Sequence, residues 1–458
     1  MRIAPHLVEP LACIMPAYGH GLKGKEVMRV AMVLNDCIGM DRNKGLLPEK
    51  QLPHGYSLTK VQCLEKVPDI STDKLHGASV WYDALATNSE RLVLEQILQA
   101  ADRGATCINY CEVKSLAQGE NETLTVTAND LLTKQQVVIS AQHVINAAGA
   151  CFEDLIPDNC RKPQTGRWAR ALNIVIKKNL FPDGAVALEE YCLHDNEDTE
   201  RKRKRRMLFF VPWRQHYTII GTHYVEKSRS PKLFPVTRDD IIAMMDEVNA
   251  IYPAAKLTFE DISFYHAGLL PVREDSKTNN SLNVQLAKES SIICHEKEGG
   301  LKNFYSIKGI KYTTAPHVAD RVMQLIDSSY KNTTLNDLTG RTHFPKTESS
   351  IDNYLVNKYG GRYDRIKKYI DDEQQWLSKD PDMLLGELLY FIHEEMAIHL
   401  SDVIFRRSDI GTAECPRQDI LHRIAGFMAT EYNWSDERTV EEISTVMQRY
   451  LPLKPNDQ

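Results

Sequence analysis

Leu301–Thr314 reads L-K-N-F-Y-S-I-K-G-I-K-Y-T-T and holds the residues best placed to do chemistry. An apolar, aromatic-containing strand enters a glycine turn, and a helical pattern follows from Ala315 to Ile326. Backbone N–H groups at a helix start form a ready anion or cofactor site. Lys311 stands in that turn, where it can bind substrate or meet developing negative charge. The plainer alternative is a strand-to-helix turn with a solvated lysine. Gln142–Gly149 repeats the logic: a buried strand ends in Asn146-Ala147-Ala148-Gly149. Small residues there let backbone approach a bulky ligand, or simply make a tight strand exit. In His266–Asp275 a strand runs into a Gly/Pro turn. Its Arg273 carries a guanidinium that suits phosphate bidentately, unless Glu274 or Asp275 pairs with it. Asn173, His216, His223 and His266 lie on or near strands, facing a pocket or satisfied within a sheet.

Other chemistries lack support. No H-E-x-x-H, G-x-S-x-G or G-K-[ST] phosphate loop occurs, so zincin, α/β-hydrolase and P-loop readings fall away. None of the ten cysteines forms a C-x-x-C, and no metal site is expected. Scattered unpaired cysteines fit a reducing, cytoplasmic compartment. The formal net charge of −6 argues against a polyanion binder, and no nucleic-acid motif occurs. One basic run, Arg201–Arg206, is a solvated loop or a point of attraction to acidic phospholipid. No apolar run reaches the ~18 residues of a transmembrane helix. The location expected is cytoplasmic, with peripheral contact at the inner face of the membrane as the alternative.

The elements that must position these residues follow from periodicity. Residues 1–75 read as irregular, with one helix at Lys25–Ile38. A capped helix spans Asn88–Gly104, then a strand over Thr106–Val113 and a hairpin over Thr123–Ala128 and Gln135–Ser140. Strands dominate Arg170–Phe264, with a helix at Arg238–Tyr252. Leu282–Gln285, Ser291–Cys294 and Phe304–Ile307 add further strands. The pattern predicts a parallel α/β domain with an antiparallel insertion. A polar linker, Asn332–Ser350, leads to an almost wholly helical region over 351–452.

Taken in order, these pieces resemble one family. Ala4-Pro-His-Leu-Val-Glu-Pro10, Tyr82-Asp83 with Arg91-Leu92-Val93, and Asn146–Gly149 come first. Phe210–Trp213, Ile219–Thr222, Gly268–Pro271, Lys308–Thr314 and finally Glu395-Met-Ala, Asp402 and Arg406-Arg407 follow. The series is similar to FAD-dependent glycerol-3-phosphate dehydrogenases over essentially the whole chain. The resemblance implies a Rossmann-like FAD domain (about 76–150 and 295–335) and an antiparallel substrate domain (about 1–75 and 151–294). A C-terminal all-α domain over 351–458 completes it. It implies oxidation of sn-glycerol 3-phosphate to dihydroxyacetone phosphate by hydride transfer to FAD, with electrons passed to a quinone or oxygen. A homodimer is a further assembly it admits. Lys311 matches the lysine near flavin and substrate. Gly309, Ile310 and Thr313 match the flavin-ring turn, Ala147, Ala148 and Gly149 the other flavin-contacting turn, and Val113 the adenine-contacting strand position. Lys288 falls at a phosphate-binding arginine; Arg273 and Asn173 are further substrate candidates.

Three departures accompany the resemblance. The G-x-G-x-x-G unit expected at the start is missing. Gly19-His-Gly-Leu-Lys-Gly24 fits by letter but follows a proline-broken loop with no acidic partner at the proper distance. An N-terminally incomplete FAD domain is therefore expected, with weakened FAD binding and exposed apolar sheet edges. Leu270 stands for the family arginine of G-x-R-P, and Ala171-Leu172-Asn173 for its G-S-H. These two substitutions leave open a related flavoenzyme of another hydroxy or amino acid, and the first a non-catalytic truncated relative.

Overall fold

The computed structural model describes residues 1, 3–19, 25–157, 167–189, 207–228, 235–273, 284–331, 349–370, 375–379 and 381–453. The basic run 201–206, most of the 332–350 linker and most of the early glycine-rich stretch lie outside them.

An eight-stranded sheet dominates. Its strands are β1 (Val8–Tyr18), β2 (Tyr56–Leu58), β3 (Leu75–Ala86), β8 (Arg167–Ile176), β9 (Ala185–Glu189), β10 (Met207–Trp213), β11 (Tyr217–Ser228) and β12 (Ile262–Pro271). They are ordered β12-β8-β11-β10-β9-β1-β3-β2. All these pairings are antiparallel except β1 with β9. The start of the chain is thus ordered, against the sequence expectation of an irregular segment. Pro10 and Pro16 lie in β1, but β9 pairs only at Cys13 and Ile14. The missing proline N–H groups therefore fall where that ladder does not extend.

Strand alternation divides the core. Leu172, Ile174 and Ile220 face α4 (Arg238–Ile251), meeting Ile241, Met244 and Val248. Val175, Trp213 and Phe264 face the C-terminal region, meeting Leu388, Phe391 and Ile404. Besides α4, the α-helices of seven or more residues among the described residues are α1 (Lys25–Ile38), α2 (Lys60–Lys66), α3 (Ser89–Asp102), α5 (Ala315–Ile326), α6 (Ser350–Tyr359), α7 (Leu385–His393), α8 (Gln418–Tyr432) and α9 (Asp436–Gln448). The C-terminal region is not wholly helical, because β15 (Trp376–Lys379) and β16 (Asp382–Leu384) form a hairpin whose turn contains Pro381.

Two small sheets make up the remainder. β4 (Cys111–Gln118), β5 (Leu124–Asp130) and β6 (Gln136–Ala141) form an antiparallel meander. β4 begins later than alternation predicts, since Thr106–Tyr110 is irregular and Tyr110 has φ 54°. In the other, β14 (Phe304–Lys308) lies between β13 (Ser291–Cys294) and β7 (Val144–Asn146), antiparallel to one and parallel to the other. Parallel pairing is therefore scarcer among the described residues than the sequence pattern suggests.

The carrier of α3 is electrostatic. Arg91 is 2% exposed and forks between Glu95 and Glu395, while Arg362 reaches the other oxygen of Glu95. Burial raises the Glu395 carboxyl despite Arg91. Asn88 caps α3 through the Arg91 N–H and donates to Asp409. The helix is thereby tied to the C-terminal region.

Candidate functional site

The parallel pairing of β7 with β14 sets Asn146 opposite Ser306. Two segments far apart in sequence, 147–149 and 309–314, consequently leave adjacent strands toward the same end of the sheet. Ligands of open α/β sheets bind at such carboxyl ends of parallel strands. Ala147, Ala148, Gly149 and Gly309 are exposed. A Cβ at Gly149 or Gly309 would meet nothing within 4 Å, and Gly149 has φ +58°. The exits therefore combine small groups with open space, where a flat ligand can approach backbone. Ile310 N–H donates to Ser290 Oγ at 3.2 Å. The turn Tyr312–Thr314 leads into α5, with Pro316 in its first turn. Proline is favoured there because the N–H it lacks has no intrahelical acceptor. Lys311 and Thr313 are exposed at this helix start.

Three buried groups lie behind the first exit. Asn146 is 3%, Ser306 0% and His295 2% exposed. The Asn146 carboxamide donates to Phe152 O at 2.7 Å and Ser306 Oγ at 3.2 Å, and accepts from Ala148 N–H at 3.2 Å. His295 Nε2 lies 2.8 Å from Ser306 Oγ, with its ring stacked on Phe304. Burial lowers the His295 pKa, which favours the neutral ring. Val113 on β4 packs against the same core as Phe304, which joins the meander to this sheet.

The large sheet presents a second group of candidates. Asn173 pairs directly with His266 across β8 and β12. Asn173 Oδ1 and His266 Nε2 are buried without a hydrogen-bond partner among the described residues. Gly221 packs against them, since a Cβ there would lie 1.8 Å from Asn173 Oδ1 and would displace that side chain. Burial also lowers the His266 pKa. Further along β12, Leu270 pairs with Ala169. Part of the predicted strand at Leu282–Gln285 lies outside the described residues; just after it, Leu286 forms an isolated bridge with Val272. Arg273 N–H donates to Gln285 O and Ala287 N–H to Pro271 O. Lys288 follows Ala287 directly, in a bend just past this bridge. The substrate candidates are thus placed on β8 (Asn173), just past the end of β12 (Arg273) and in the segment beside it (Lys288).

The link between the two groups is indirect. Tyr312 donates to Ser89 O at the start of α3, whose cap Asn88 meets Asp409, and Asp409 O accepts from Arg214 beside Trp213. Trp213 and Phe264 in turn flank His266, with ring centroids 6.1 and 5.2 Å away. His216 is exposed in the β10–β11 turn, and His223 pairs with Glu247 of α4 on the opposite face. Neither joins the site. Sequence reasoning did not single out His295 or Ser306. Their signal is spatial, because only the β7–β14 register brings them to Asn146. Among the described residues no cluster of His, Cys, Asp and Glu could hold a metal ion.

Comparison with known proteins gives two domain families that together match most of the chain. One, "FAD dependent oxidoreductase", matches residues 31–325; the other, "C-terminal domain of alpha-glycerophosphate oxidase", matches residues 317–439. Aerobic glycerol-3-phosphate dehydrogenases of Staphylococcus aureus strains MRSA252 and USA300 are each 26% identical over 438 residues. Those matches cover 88% of this chain and 73% of each relative. The glycerol-3-phosphate dehydrogenase of Bacillus halodurans, solved with FAD, superposes with a TM-score of 0.68 at 21% identity. It covers 100% of this chain and 84% of its own, which shows a shared fold.

Proposed function

The chain belongs to the family of FAD-dependent oxidoreductases, and from that premise we propose that it oxidises the secondary alcohol of glycerol 3-phosphate or a close analogue to the ketone. The observation that carries this reading is the pair of small-residue strand exits at 147–149 and 309–313. They fit a flat ring system, with the start of α5 behind it as a source of N–H groups. Ala147, Ala148, Gly149, Gly309, Ile310, Lys311 and Thr313 would hold the flavin, and the backbone of Val113 the adenine end. No glycine-rich turn from a parallel strand into a helix occurs among the described residues, so these groups are asked to hold the cofactor's ring end. Bound FAD supplies the hydride acceptor.

The chain's own residues bind and polarise. Lys311 offsets negative charge at the flavin-ring turn. Lys288, near Leu270, attracts the phosphate as a point charge without an arginine's fork. Arg273 adds a second cation nearby, and Asn173 offers a hydrogen bond to a substrate hydroxyl. The domain division follows the sequence reading, with an oxidoreductase region over 1–335 and a C-terminal region over 351–458. Electrons pass on to a quinone or to oxygen.

No helix among the described residues is long and apolar enough to cross a membrane. Peripheral contact with a lipid surface belongs to the same proposal. Val30, Val33, Leu34 and Ile38 of α1 are 57–85% exposed on an amphipathic helix.

Incubation with FAD, desalting and an absorption spectrum test the central reading. Retained flavin bands that bleach with glycerol 3-phosphate support it. Retained bands that bleach only with a 2-hydroxy acid or an amino acid favour a second reading, for which Leu270 and Asn173 speak. Absence of retained flavin rules out both as activities of this chain.

A further inference from the structure

Asn146, Ser306 and His295 form a hydrogen-bond relay. Phe152 O accepts and Ala148 N–H donates, so the Asn146 carboxamide has a single orientation. Its second N–H then points at Ser306 Oγ. Ser306 is fully buried, and its hydroxyl proton needs an acceptor. His295 Nε2, 2.8 Å away, is the side-chain acceptor within reach. An Nε2 that accepts this proton is itself unprotonated, which leaves the ring proton on Nδ1. Protons therefore run in one direction, from Asn146 N–H to Ser306, and from Ser306 O–H to His295.

We infer that His295 is a positioning residue for the strand exit at Ala147–Gly149, acting through Ser306 and Asn146 as the terminal acceptor of this relay. The exit is otherwise exposed and built from small residues, with no side chains of its own to hold it. Its one side-chain anchor is the Asn146 carboxamide on Ala148 N–H. Removing the acceptor at His295 frees the Ser306 hydroxyl to turn toward Asn146, which loosens that anchor. The stack on Phe304, with centroids 4.2 Å apart, is a separate contact. Packing and hydrogen bonding can therefore be removed independently. The inference rests on the proposed function only where it assigns the exit to flavin.

His295→Phe keeps a ring against Phe304 but deletes the acceptor, whereas His295→Gln retains an oxygen near Nε2. Amide hydrogen exchange at Ala148 in the flavin-free chain reads the anchor directly. The expected result is exchange about ten- to a hundredfold faster in H295F, with H295Q close to the parent. Nitrogen-15 shifts of the parent imidazole should show Nε2 unprotonated. Equal exchange in H295F and the parent, or a protonated Nε2 at neutral pH, overturns the inference. If H295F does not fold, Ser306→Ala breaks the same relay and must give the same acceleration. Quenching of FAD fluorescence then tests the link to the cofactor, with affinity expected to fall about ten- to a hundredfold in H295F alone. Undiminished affinity in H295F overturns the cofactor role. Failure of the parent itself to take up FAD refutes the proposed function, while the exchange result still decides the positioning role.

Discussion

At the scale of single residues, position and charge separate roles that residue type alone leaves mixed. Lys288 follows Ala287, whose N–H bonds to Pro271 O next to Leu270, so a cation is present near that position without a guanidinium's geometry. Lys288→Met should raise KM for glycerol 3-phosphate about tenfold or more, with kcat less affected, in steady-state assays of the flavin-loaded protein. Leu270→Arg should lower KM by restoring a planar fork at the neighbouring position. Arg91 shows the opposite situation, a cation used entirely for structure. Its guanidinium is shared between Glu95 and Glu395, and Glu395 is fully buried. Arg91→Ala leaves an uncompensated buried carboxylate and should cost about 3–5 kcal/mol in urea unfolding. The double change Arg91→Met with Glu395→Leu should recover much of that loss, because both desolvated charges disappear together.

At the scale of elements, a helix end and an unpaired strand carry the consequences. Helix α6 ends at Gly360, with φ +53° and an ideal Cβ 2.6 Å from His6 Nδ1. Gly360→Ala meets both a forbidden backbone region and the N-terminal segment, so it should lower the thermal midpoint by several degrees. β7 lies at the edge of its sheet among the described residues, and Ile145 is exposed, as are Val138 of β6 and Ile97 of α3. How legible each element was depended on whether its signal was local. Helices α1, α3, α4 and α8 follow from spacing and caps. β1 did not, because prolines mask a strand whose ladder is covered on one side only in part. The motif residues Arg91 and Glu395 read as isolated letters 304 positions apart, yet they form one ion pair. Lys311 and the small-residue exits were visible because strand, turn and helix are consecutive. The relay through His295 was not, since register between distant strands cannot be read from either strand alone.

At the scale of the whole molecule, buried histidines make acid the condition under which the parts should come apart. Burial lowers the pKa of His6 to about 4, and it also lowers those of His266 and His295. An unfolded histidine titrates near ~6.5. Between that value and the lowered folded one, the unfolded chain binds more protons than the folded chain, so stability must fall as pH falls. Neutral histidines thus contribute stability that is complete above about pH 6.5 and lost toward pH 4. Glu395, whose carboxyl burial raises, works in the other direction. Asp402 and Asp240 are held below their ordinary values against burial by hydrogen bonds and by Arg406 or Arg170, so their contributions are lost only at still lower pH. The three histidines lie in different places: one beside α6, one on the large sheet against the C-terminal region, one behind β14. Acid should accordingly weaken several packing units together rather than one loop. Thermal unfolding followed from pH 7.5 to pH 4.5 should show a midpoint that falls most steeply below about pH 6.5. His6→Asn combined with His295→Gln should start less stable but fall along a shallower slope, because fewer buried groups remain to take up protons on unfolding. A slope unchanged in that double variant would assign the acid sensitivity to the carboxylates instead.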